Sequence, residues 1–435
     1  MASRETPHGL ADSLASILMD DTQPSVDWYI SRQQNSLEAV MDYLASKEPQ
    51  NWTFSPYSLM CCLAMVVAGG TVRTSADRIP DNTKNACDDC KPYCFPYNDA
   101  SPLPPQAALE ALRQFATQLG EVSVCRCANI LVQDADPADK RIAEHYKREL
   151  STYFRASSCA SAEWQEVNAT IQKVTTLPVK ILSRAPEGTC VINAVYFKDQ
   201  WQAKFDEETR AMKFQSSQKS VVVAMMHTTR SITFVKRDTM IAVSLPYQTP
   251  GMRAWFVKGA DAQGADNAVR TFLPLNFGKT RLRHQCENVC LQLPKFKLLS
   301  KFDIKEVLTN KAATSIFEMG NLQKISGDAH EHISKFEQHC MLEVDQNGTV
   351  AAAVTAAQAT RGARPAPKLV TFGHTFFMLI EYKKTLLFAA KIDCPDALEA
   401  PADFETAKDS AFFDSEIQVM DSDYDLDRED RRRAS

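Results

Sequence analysis

The chain has 435 residues, of which 44% are hydrophobic, so it is long enough to bury a large core in one big domain or in a few small ones. Its formal net charge of −5 gives no general reason to expect nucleic-acid binding. The longest apolar run, Leu59 to Ala68, is too short to cross a membrane and suits a buried helix.

The amino terminus and the cysteines bear on the cellular compartment. The first residues lack a basic start followed by an apolar block, so no secretory signal is apparent and a cytoplasmic location is predicted, with unconventional secretion as the alternative. The thirteen cysteines are odd in number and scattered, which is typical of reduced thiols. Cys87, Cys90 and Cys94 have the spacing of zinc ligands, but no fourth ligand lies nearby. A polar loop is the alternative there, and no metal or cofactor is predicted.

The first predicted elements are helices. Residues 1–32 are a polar lead-in, and apolar residues at helical spacing predict a helix over 36–47. A second helix is expected to begin at Ser55-Pro56, where a serine cap precedes a proline at the first helical position. Residues 80–105 are polar and rich in proline, which predicts a loop insertion.

Strand-like blocks follow the first helices. The segment from Thr189 to Phe197 is β-branched and apolar, as expected of a strand buried on both faces. Further strands are predicted at 221–226, 239–245 and 289–293, and a hairpin at 375–382 and 385–392 joined by Lys383-Lys384. Because there is no internal repeat, the mixture of helices and strands indicates one large α+β domain.

The composition changes after Pro395. Residues 396–435 carry thirteen acidic and five basic residues, a net charge of −8. This segment has too little hydrophobic periodicity to fold alone, so a disordered acidic tail is predicted.

One uncharged stretch stands out. Residues 348–360 contain no charge, no aromatic residue and no proline, and Arg361-Gly362-Ala363-Arg364-Pro365 follows them. At a period of two, small side chains share one face: Thr349, Ala351, Ala353, Thr355, Ala357 and Ala359. Such a strand can enter a packed sheet with little steric penalty. Alanine is also the best helix former, so a surface helix is the alternative on propensity alone.

The segments on both sides of this run resemble the serpin family. The resemblance extends over about residues 33–395 and rests on segments in the family's order: Asn51–Ser58, Val191–Trp201, Phe205, Met225-Met226, Leu293–Phe296, Gly348-Thr349 with the alanines, Phe376-Phe377 and Leu387-Phe388. It implies an α+β serpin fold with three β-sheets, about nine helices and an exposed reactive loop near the carboxyl end, within 346–371.

The resemblance also assigns roles to residues. In serpins a protease cleaves the loop and forms an acyl-enzyme, and the loop then inserts as a new strand in the central sheet before hydrolysis. The hinge of this loop is expected at Gln346, Gly348, Thr349, Ala351, Ala352, Ala353 and Thr355. The polar cluster beneath the sheet, called the shutter, is expected at Ser55, Ser58, Asn193 and Gln338, with Trp201 at the breach where insertion begins. Several positions depart from the family, which commonly has glutamate at Gln346 and Val350, histidine at Gln338, proline at Thr375 and glycine at Ala390.

The cleaved bond is not fixed by counting residues. Counting from Gly348 gives Gly362, whereas counting back from Phe372 and Phe376 gives Ala363 or Arg364. Side-chain chemistry favours Arg361-Gly362, because an arginine suits a trypsin-like specificity pocket and glycine leaves the other side of the bond open. Arg364-Pro365 is the alternative, although the proline ring hinders attack.

The predicted function is inhibition of trypsin-like serine proteases. The chain would act as a monomeric suicide substrate that forms a covalent complex, without being a catalyst itself; no nucleophile elbow, zinc-binding helix motif or phosphate-binding glycine loop occurs. The alternatives are a non-inhibitory serpin that serves as a chaperone, carrier or storage protein, and an inhibitor of papain-like cysteine proteases. Neither a nucleic acid nor a membrane is predicted as a partner.

Overall fold

A computed structural model describes residues 26–45, 47, 51–70, 106–122, 124–133, 142–175, 180–277, 285–349 and 366–395. Within these ranges the chain forms seven α-helices, two 3₁₀ turns and sixteen strands, and the strands form three sheets. The predicted loop insertion at 80–105 and the predicted tail at 396–435 lie outside the described residues.

The helices begin near the amino terminus. They are α1 (Val26–Ala45), α2 (Pro56–Ala68), α3 (Gln106–Glu121), α4 (Glu144–Phe154), α5 (Trp164–Thr175), α6 (Ala265–Phe277) and α7 (Ile304–Thr309). Helix α1 begins inside the segment that was predicted as a lead-in, because polar residues in its first half conceal the apolar period. One of them, Gln33, is buried and its Oε1 accepts a hydrogen bond from the backbone N–H of Leu386 at 2.9 Å.

Helix α2 begins as its sequence predicts. The Ser55 side chain accepts a hydrogen bond from the Ser58 backbone N–H at 3.2 Å, and Pro56 occupies the first helical turn. Every residue of this helix is buried. An α-helix that is buried on all sides must lie between other elements rather than on a surface, and α2 contacts strands of two different sheets.

The central sheet has five strands in the order β11-β12-β4-β2-β3. Their bounds are β2 (Cys125–Gln133), β3 (Ala156–Ala160), β4 (Thr189–Phe197), β11 (Phe296–Asp303) and β12 (Ile333–Val344). The predicted strand β4 is confirmed, and all of its residues are buried. Its neighbours β12 and β2 run parallel and antiparallel to it, respectively.

The second sheet has nine strands and packs on the other side of α2. Its order is β1-β16-β15-β9-β8-β7-β10-β14, with β6 paired to β7. The bounds are β1 (Asn51–Phe54), β6 (Arg210–Gln215), β7 (Ser220–Arg237), β8 (Met240–Pro246), β9 (Met252–Lys258), β10 (Gln285–Pro294), β14 (Lys368–Thr371), β15 (Phe376–Tyr382) and β16 (Thr385–Ile392). The strand predicted at 221–226 is only the first part of β7, because polar and charged residues in its second part interrupt the apolar pattern.

A third, two-stranded sheet joins the central sheet to the reactive-loop region. Strand β5 (Asp199–Gln200) pairs antiparallel with β13 (Gly348–Thr349). Within the predicted loop range of 346–371, Lys368–Thr371 form β14 and pair in parallel with β10.

Apolar residues cover both faces of the central sheet. The larger cluster includes all of α2 from Leu59 onwards and the facing sides of the two large sheets. A smaller cluster lies on the outer face, where Val167 and Ile171 of α5 pack near Ile130 and Ile192 of the sheet. The central strands are thus buried between α2 and α5.

The hairpin of β15 and β16 has a strained turn. Lys383 and Lys384, which the sequence placed at this turn, have φ angles of 47° and 72°. The left-handed region costs a non-glycine residue about 1 kcal/mol or more, and paired positive φ angles are typical of the two-residue turns that glycine favours.

We expect Lys384→Gly to increase the free energy of unfolding by about 1 kcal/mol, because glycine adopts a positive φ without a steric penalty. Urea unfolding followed by circular dichroism measures the change. The control is Lys295→Gly at a position that does not have a positive φ, where glycine should reduce stability. A lower unfolding midpoint for Lys384→Gly would contradict the strain assigned to this turn.

Candidate functional site

Strands β12 and β4 are hydrogen-bonded directly to each other in the middle of the central sheet. Their parallel register runs from Ile333 opposite Thr189 to Met341 opposite Tyr196. Gln338 lies opposite Asn193 in this register, so two of the predicted shutter residues are cross-strand partners. The sheet is therefore closed at the place where an added strand would have to enter.

The four predicted shutter residues form one buried hydrogen-bond network. Asn193 Nδ2 donates to Ser58 Oγ at 2.6 Å, and Gln338 Nε2 donates to Asn193 Oδ1 at 2.8 Å. The Ser55 backbone N–H donates to Gln338 Oε1 at 2.9 Å. All four are almost fully buried. Gln338 both donates and accepts, so it links the two strands to the start of α2 although the family commonly has histidine there.

The network reaches the second large sheet through Ser55. Its hydroxyl donates to the Leu387 carbonyl of β16 at 2.6 Å while it caps α2. The start of α2 is thereby fixed to the nine-stranded sheet. The Asn193 side chain connects the central sheet to this fixed base.

Three further residues of the network were not predicted from the sequence. Asn129 on β2 accepts from Asn193 Nδ2 at 2.7 Å and from the thiols of Cys62 and Cys127 at 3.2 Å each. The Cys127 sulfur also lies 2.9 Å from Ser58 Oγ. Asn129 lies in the strand Cys125–Gln133, which is otherwise largely apolar. A polar residue inside an apolar strand is a signal in the sequence that could have indicated Asn129, as it indicates Asn193.

Burial determines the protonation of these thiols. It raises the pKa of Cys62 well above the ordinary value, and it also raises the pKa of Cys127, where hydrogen bonds from Ser58 and Asn193 act in the opposite direction. Both side chains are therefore neutral thiols near pH 7 in the closed sheet.

On the opposite face of β12, the Glu337 carboxylate is contacted by the side chains of Lys301, Lys335 and His339. Burial acts to raise its pKa, but hydrogen bonds from His339, Lys301 and Lys335 outweigh this effect and lower the pKa to about 2. The closest of these contacts joins Lys301 Nζ to Glu337 Oε1 at 2.7 Å. This charge cluster links β12 to the edge strand β11.

Trp201 lies at the end of the central sheet from which β5 continues. It is fully buried and its ring stacks on Tyr247 with a centroid separation of 4.4 Å. Its Nε1 donates to the Asp345 carbonyl at 3.1 Å, and its backbone N–H donates to the Asn347 carbonyl at 2.9 Å. Trp201 thus contacts the segment that follows β12.

A tight turn connects β12 to the hinge. Asp345 Oδ1 accepts hydrogen bonds from the backbone N–H groups of Asn347 and Gly348 at 2.7 and 3.1 Å. Gln346 Nε2 donates to the Glu207 carbonyl at 3.0 Å. A glutamate at position 346 would bring a carboxylate against this carbonyl oxygen, which gives a physical reason for the departure from the family pattern.

Gly348 is required by its surroundings. Its φ is +150°, and a Cβ atom at this position would lie 2.3 Å from the Asp199 carbonyl oxygen. The backbone of Gly348 and Thr349 pairs antiparallel with Gln200 and Asp199. The other predicted hinge and cleavage residues lie outside the described residues: Ala351, Ala352, Ala353, Thr355, Arg361, Gly362, Arg364 and Pro365.

Comparison with known proteins identifies the family. The family model for serpins, described as serine protease inhibitors, matches residues 34–395. The chain belongs to the serpin family. Serpin B10 of Bos taurus is 24% identical to this serpin over 399 residues, which cover 84% of this chain and 98% of the bovine protein.

Solved structures confirm the serpin fold. The structure of Serpin48, a highly specific serpin in the insect Tenebrio molitor, aligns with a TM-score of 0.70 at 20% identity and covers 87% of this serpin and 100% of that chain. A thyroxine-binding globulin in complex with thyroxine aligns with a TM-score of 0.64 at 17% identity and covers 84% of this serpin and 99% of that chain. The predicted α+β serpin fold is therefore confirmed.

Neither a metal cluster nor a membrane span is found in the described part of this serpin. No group of three or more His, Cys, Asp or Glu side chains there is arranged to hold a metal ion. No helix among the same residues is long and apolar enough to cross a membrane. Cys87, Cys90 and Cys94 lie outside the described residues.

We expect Asn193→Ala to reduce the free energy of unfolding by about 3 kcal/mol, because Ser58, Asn129 and Gln338 would each lose a buried hydrogen-bond partner. Urea unfolding measures the loss. Asn267→Ala on the exposed side of α6 serves as the control and should change stability by less than about 0.5 kcal/mol. Equal midpoints for the two variants would show that the shutter contributes little to stability.

Proposed function

We propose that this serpin inhibits trypsin-like serine proteases as a suicide substrate, by inserting its cleaved reactive loop between β12 and β4. The observation that carries the proposal is the position of the hinge. Gly348 and Thr349 pair with β5 in a separate two-stranded sheet, and β5 follows directly after β4, so the hinge lies beside the end of the β12–β4 pair where an added strand would enter. We further propose that it acts as a monomer on one protease molecule.

The chain direction favours insertion. The loop leaves β12 through the turn at Asp345, so a strand that folds back beside β12 runs antiparallel to it. Because β12 and β4 are parallel, the inserted strand is antiparallel to both. Insertion then replaces one parallel ladder with two antiparallel ladders, which are slightly more stable per residue.

The length and composition of the loop also fit the gap. Residues 349–360 number twelve, and β12 is twelve residues long. The run has no charge to bury and no proline to interrupt a ladder. About 14 residues at about 3.4 Å each would carry the loop end some 48 Å along the sheet, far enough to displace a bound protease.

We assign the reactive bond to Arg361-Gly362, with Arg364-Pro365 as the alternative. An arginine before the cleaved bond fits the acidic specificity pocket of a trypsin-like protease. Glycine after it does not obstruct the leaving side, whereas proline does.

The fold alone does not decide between inhibitor and carrier, because a thyroxine-binding globulin shares it. A non-inhibitory role would be favoured by charged or bulky residues in the hinge, and the run from 349 to 360 has neither charges nor aromatic residues. Inhibition of papain-like cysteine proteases is the other alternative, which the same loop chemistry permits. None of the ten cysteines in the described ranges is bonded in a disulfide. We propose a reducing compartment such as the cytoplasm.

The decisive experiment is incubation of the 48.6 kDa protein with trypsin followed by a denaturing gel. We expect a covalent band near the combined mass of the two proteins. Arg361→Ala should abolish this band, whereas Arg364→Ala and the exposed control Arg184→Ala should retain it. Loss of the band only in Arg364→Ala would move the reactive bond to Arg364-Pro365. Cleaved serpin beside free, active trypsin would reject the inhibitor assignment.

A second prediction concerns the hinge. We expect Thr349→Arg to be cleaved by trypsin without forming a covalent complex, because insertion would force a charge into the packed sheet. Cleavage should raise the melting temperature of the wild type, but not that of this variant. The control Thr309→Arg, at an exposed helix end, should behave like the wild type. Continued trapping by Thr349→Arg would contradict insertion of this segment.

A further inference from the structure

Two thiols from different elements meet beneath the central sheet. The Cys62 sulfur on α2 and the Cys127 sulfur on β2 each lie 3.2 Å from the same atom, Asn129 Oδ1. Cys62 is fully buried and Cys127 is partly exposed. Because each sulfur lies 3.2 Å from this one atom, the two sulfurs are at most twice that distance apart, and a disulfide requires side-chain rotation that brings them to about 2.05 Å.

We propose that Cys62 and Cys127 form a disulfide under oxidising conditions and that this bond holds the central sheet closed. The inference about closure rests on the proposed function, whereas formation of the bond does not. The sites of reaction are the two thiols, and the oxidant is a small disulfide such as oxidised glutathione.

The two halves of the central sheet have different attachments. The half formed by β12 and β11 is bound to β1 of the nine-stranded sheet: the Thr53 backbone N–H donates to Ser300 Oγ at 2.9 Å, and the rings of Phe54 and Phe302 make an edge contact. The half formed by β4, β2 and β3 reaches α2 through hydrogen bonds of Asn193 and Asn129. We therefore identify this second half as the part that moves.

The size of the movement exceeds what a disulfide permits. Adding a strand between β12 and β4 separates them by one further inter-strand spacing, about 4.8 Å. The hydrogen bonds between β2 and α2 can break and form elsewhere during such a shift. A covalent bond of about 2.05 Å between Cys62 and Cys127 cannot follow it.

The reaction balances without a metal or an enzyme. The Cys127 thiolate attacks one sulfur of oxidised glutathione, which forms a mixed disulfide and releases one glutathione thiolate. The Cys62 thiol loses its proton and attacks the Cys127 sulfur, which releases the second glutathione. Burial raises the pKa of Cys127 against the opposing hydrogen bonds from Ser58 and Asn193, so the first step proceeds through a minor thiolate form and is slow near pH 7. Burial of Cys62 makes the second step slow near pH 7.

The first experiment detects the bond without any protease inhibition assay. The native full-length protein is treated with oxidised glutathione, alkylated, digested and analysed without reduction by mass spectrometry. We expect a cross-link between the peptides that contain Cys62 and Cys127. Cys62→Ala should abolish this cross-link, and the matched control Cys61→Ala, at the adjacent buried cysteine, should retain it. Glutathione on the exposed Cys286 shows that the reagent has acted.

The second experiment tests closure. A synthetic peptide of residues 349–360 is incubated with the reduced and the oxidised protein, and its incorporation is followed on native gels. We expect at least tenfold slower incorporation after oxidation, full recovery on addition of dithiothreitol, and no effect of oxidation in Cys62→Ala. Modified Cys286 without a Cys62–Cys127 cross-link would overturn the proposal. Equal incorporation into the reduced and the cross-linked protein would overturn the closure.

Failure of this inference is distinguishable from failure of the proposed function. If the reduced protein takes up the peptide but never traps trypsin, the inhibitor assignment fails while the proposed closure by the Cys62–Cys127 disulfide stands. If the reduced protein traps trypsin and oxidation leaves the yield of covalent complex unchanged, the proposed closure fails while the inhibitor assignment stands.

Discussion

The direct parallel pairing of β12 with β4 is the constraint on which the rest of the structure depends. These strands close the middle of the central sheet over the register from Ile333 to Met341. The chain continues from β12 in the direction that suits an antiparallel strand between them. The closed sheet therefore holds one parallel ladder where the topology permits two antiparallel ones. In the proposed mechanism, the free-energy difference between these two pairings drives insertion only if β12 and β4 stay paired until the loop is cleaved.

Polar side chains hold this pair, and their chemistry explains how a buried contact can be both firm and reversible. Ser55, Ser58, Asn193 and Gln338 form hydrogen bonds with one another in a buried site. Each such bond contributes only about 1 kcal/mol net, yet leaving one buried partner unsatisfied costs as much or more. The network thus resists partial opening, yet its individual hydrogen bonds can break and form again. Apolar packing alone would not fix the register of Gln338 against Asn193 in this way.

The two ends of the site have different roles. At the breach, Trp201 and the Asp345 turn fix the point where the loop leaves β12, and Gly348 lets the backbone pass close to Asp199. At the shutter, α2 is anchored to the nine-stranded sheet through Ser55. In the proposed mechanism, insertion starts at this entry point and proceeds above that anchored helix. The thiols of Cys62 and Cys127 lie where the half of the sheet that we propose to move meets α2.

The amino-acid sequence by itself determined the buried strand β4, the start of α2 and the hairpin at Lys383-Lys384, because each depends on a local pattern of apolar residues, caps or turn residues. The order of several short segments indicated the family by resemblance. It also placed Ser55, Ser58, Asn193, Gln338 and Trp201 by resemblance. The sequence did not reveal the full length of α1 or β7, where polar residues interrupt the apolar period. Only the tertiary structure brought Asn129, Cys62 and Cys127 into the shutter, since hydrogen bonds between residues more than sixty positions apart follow from strand register and helix placement and leave no pattern in the chain.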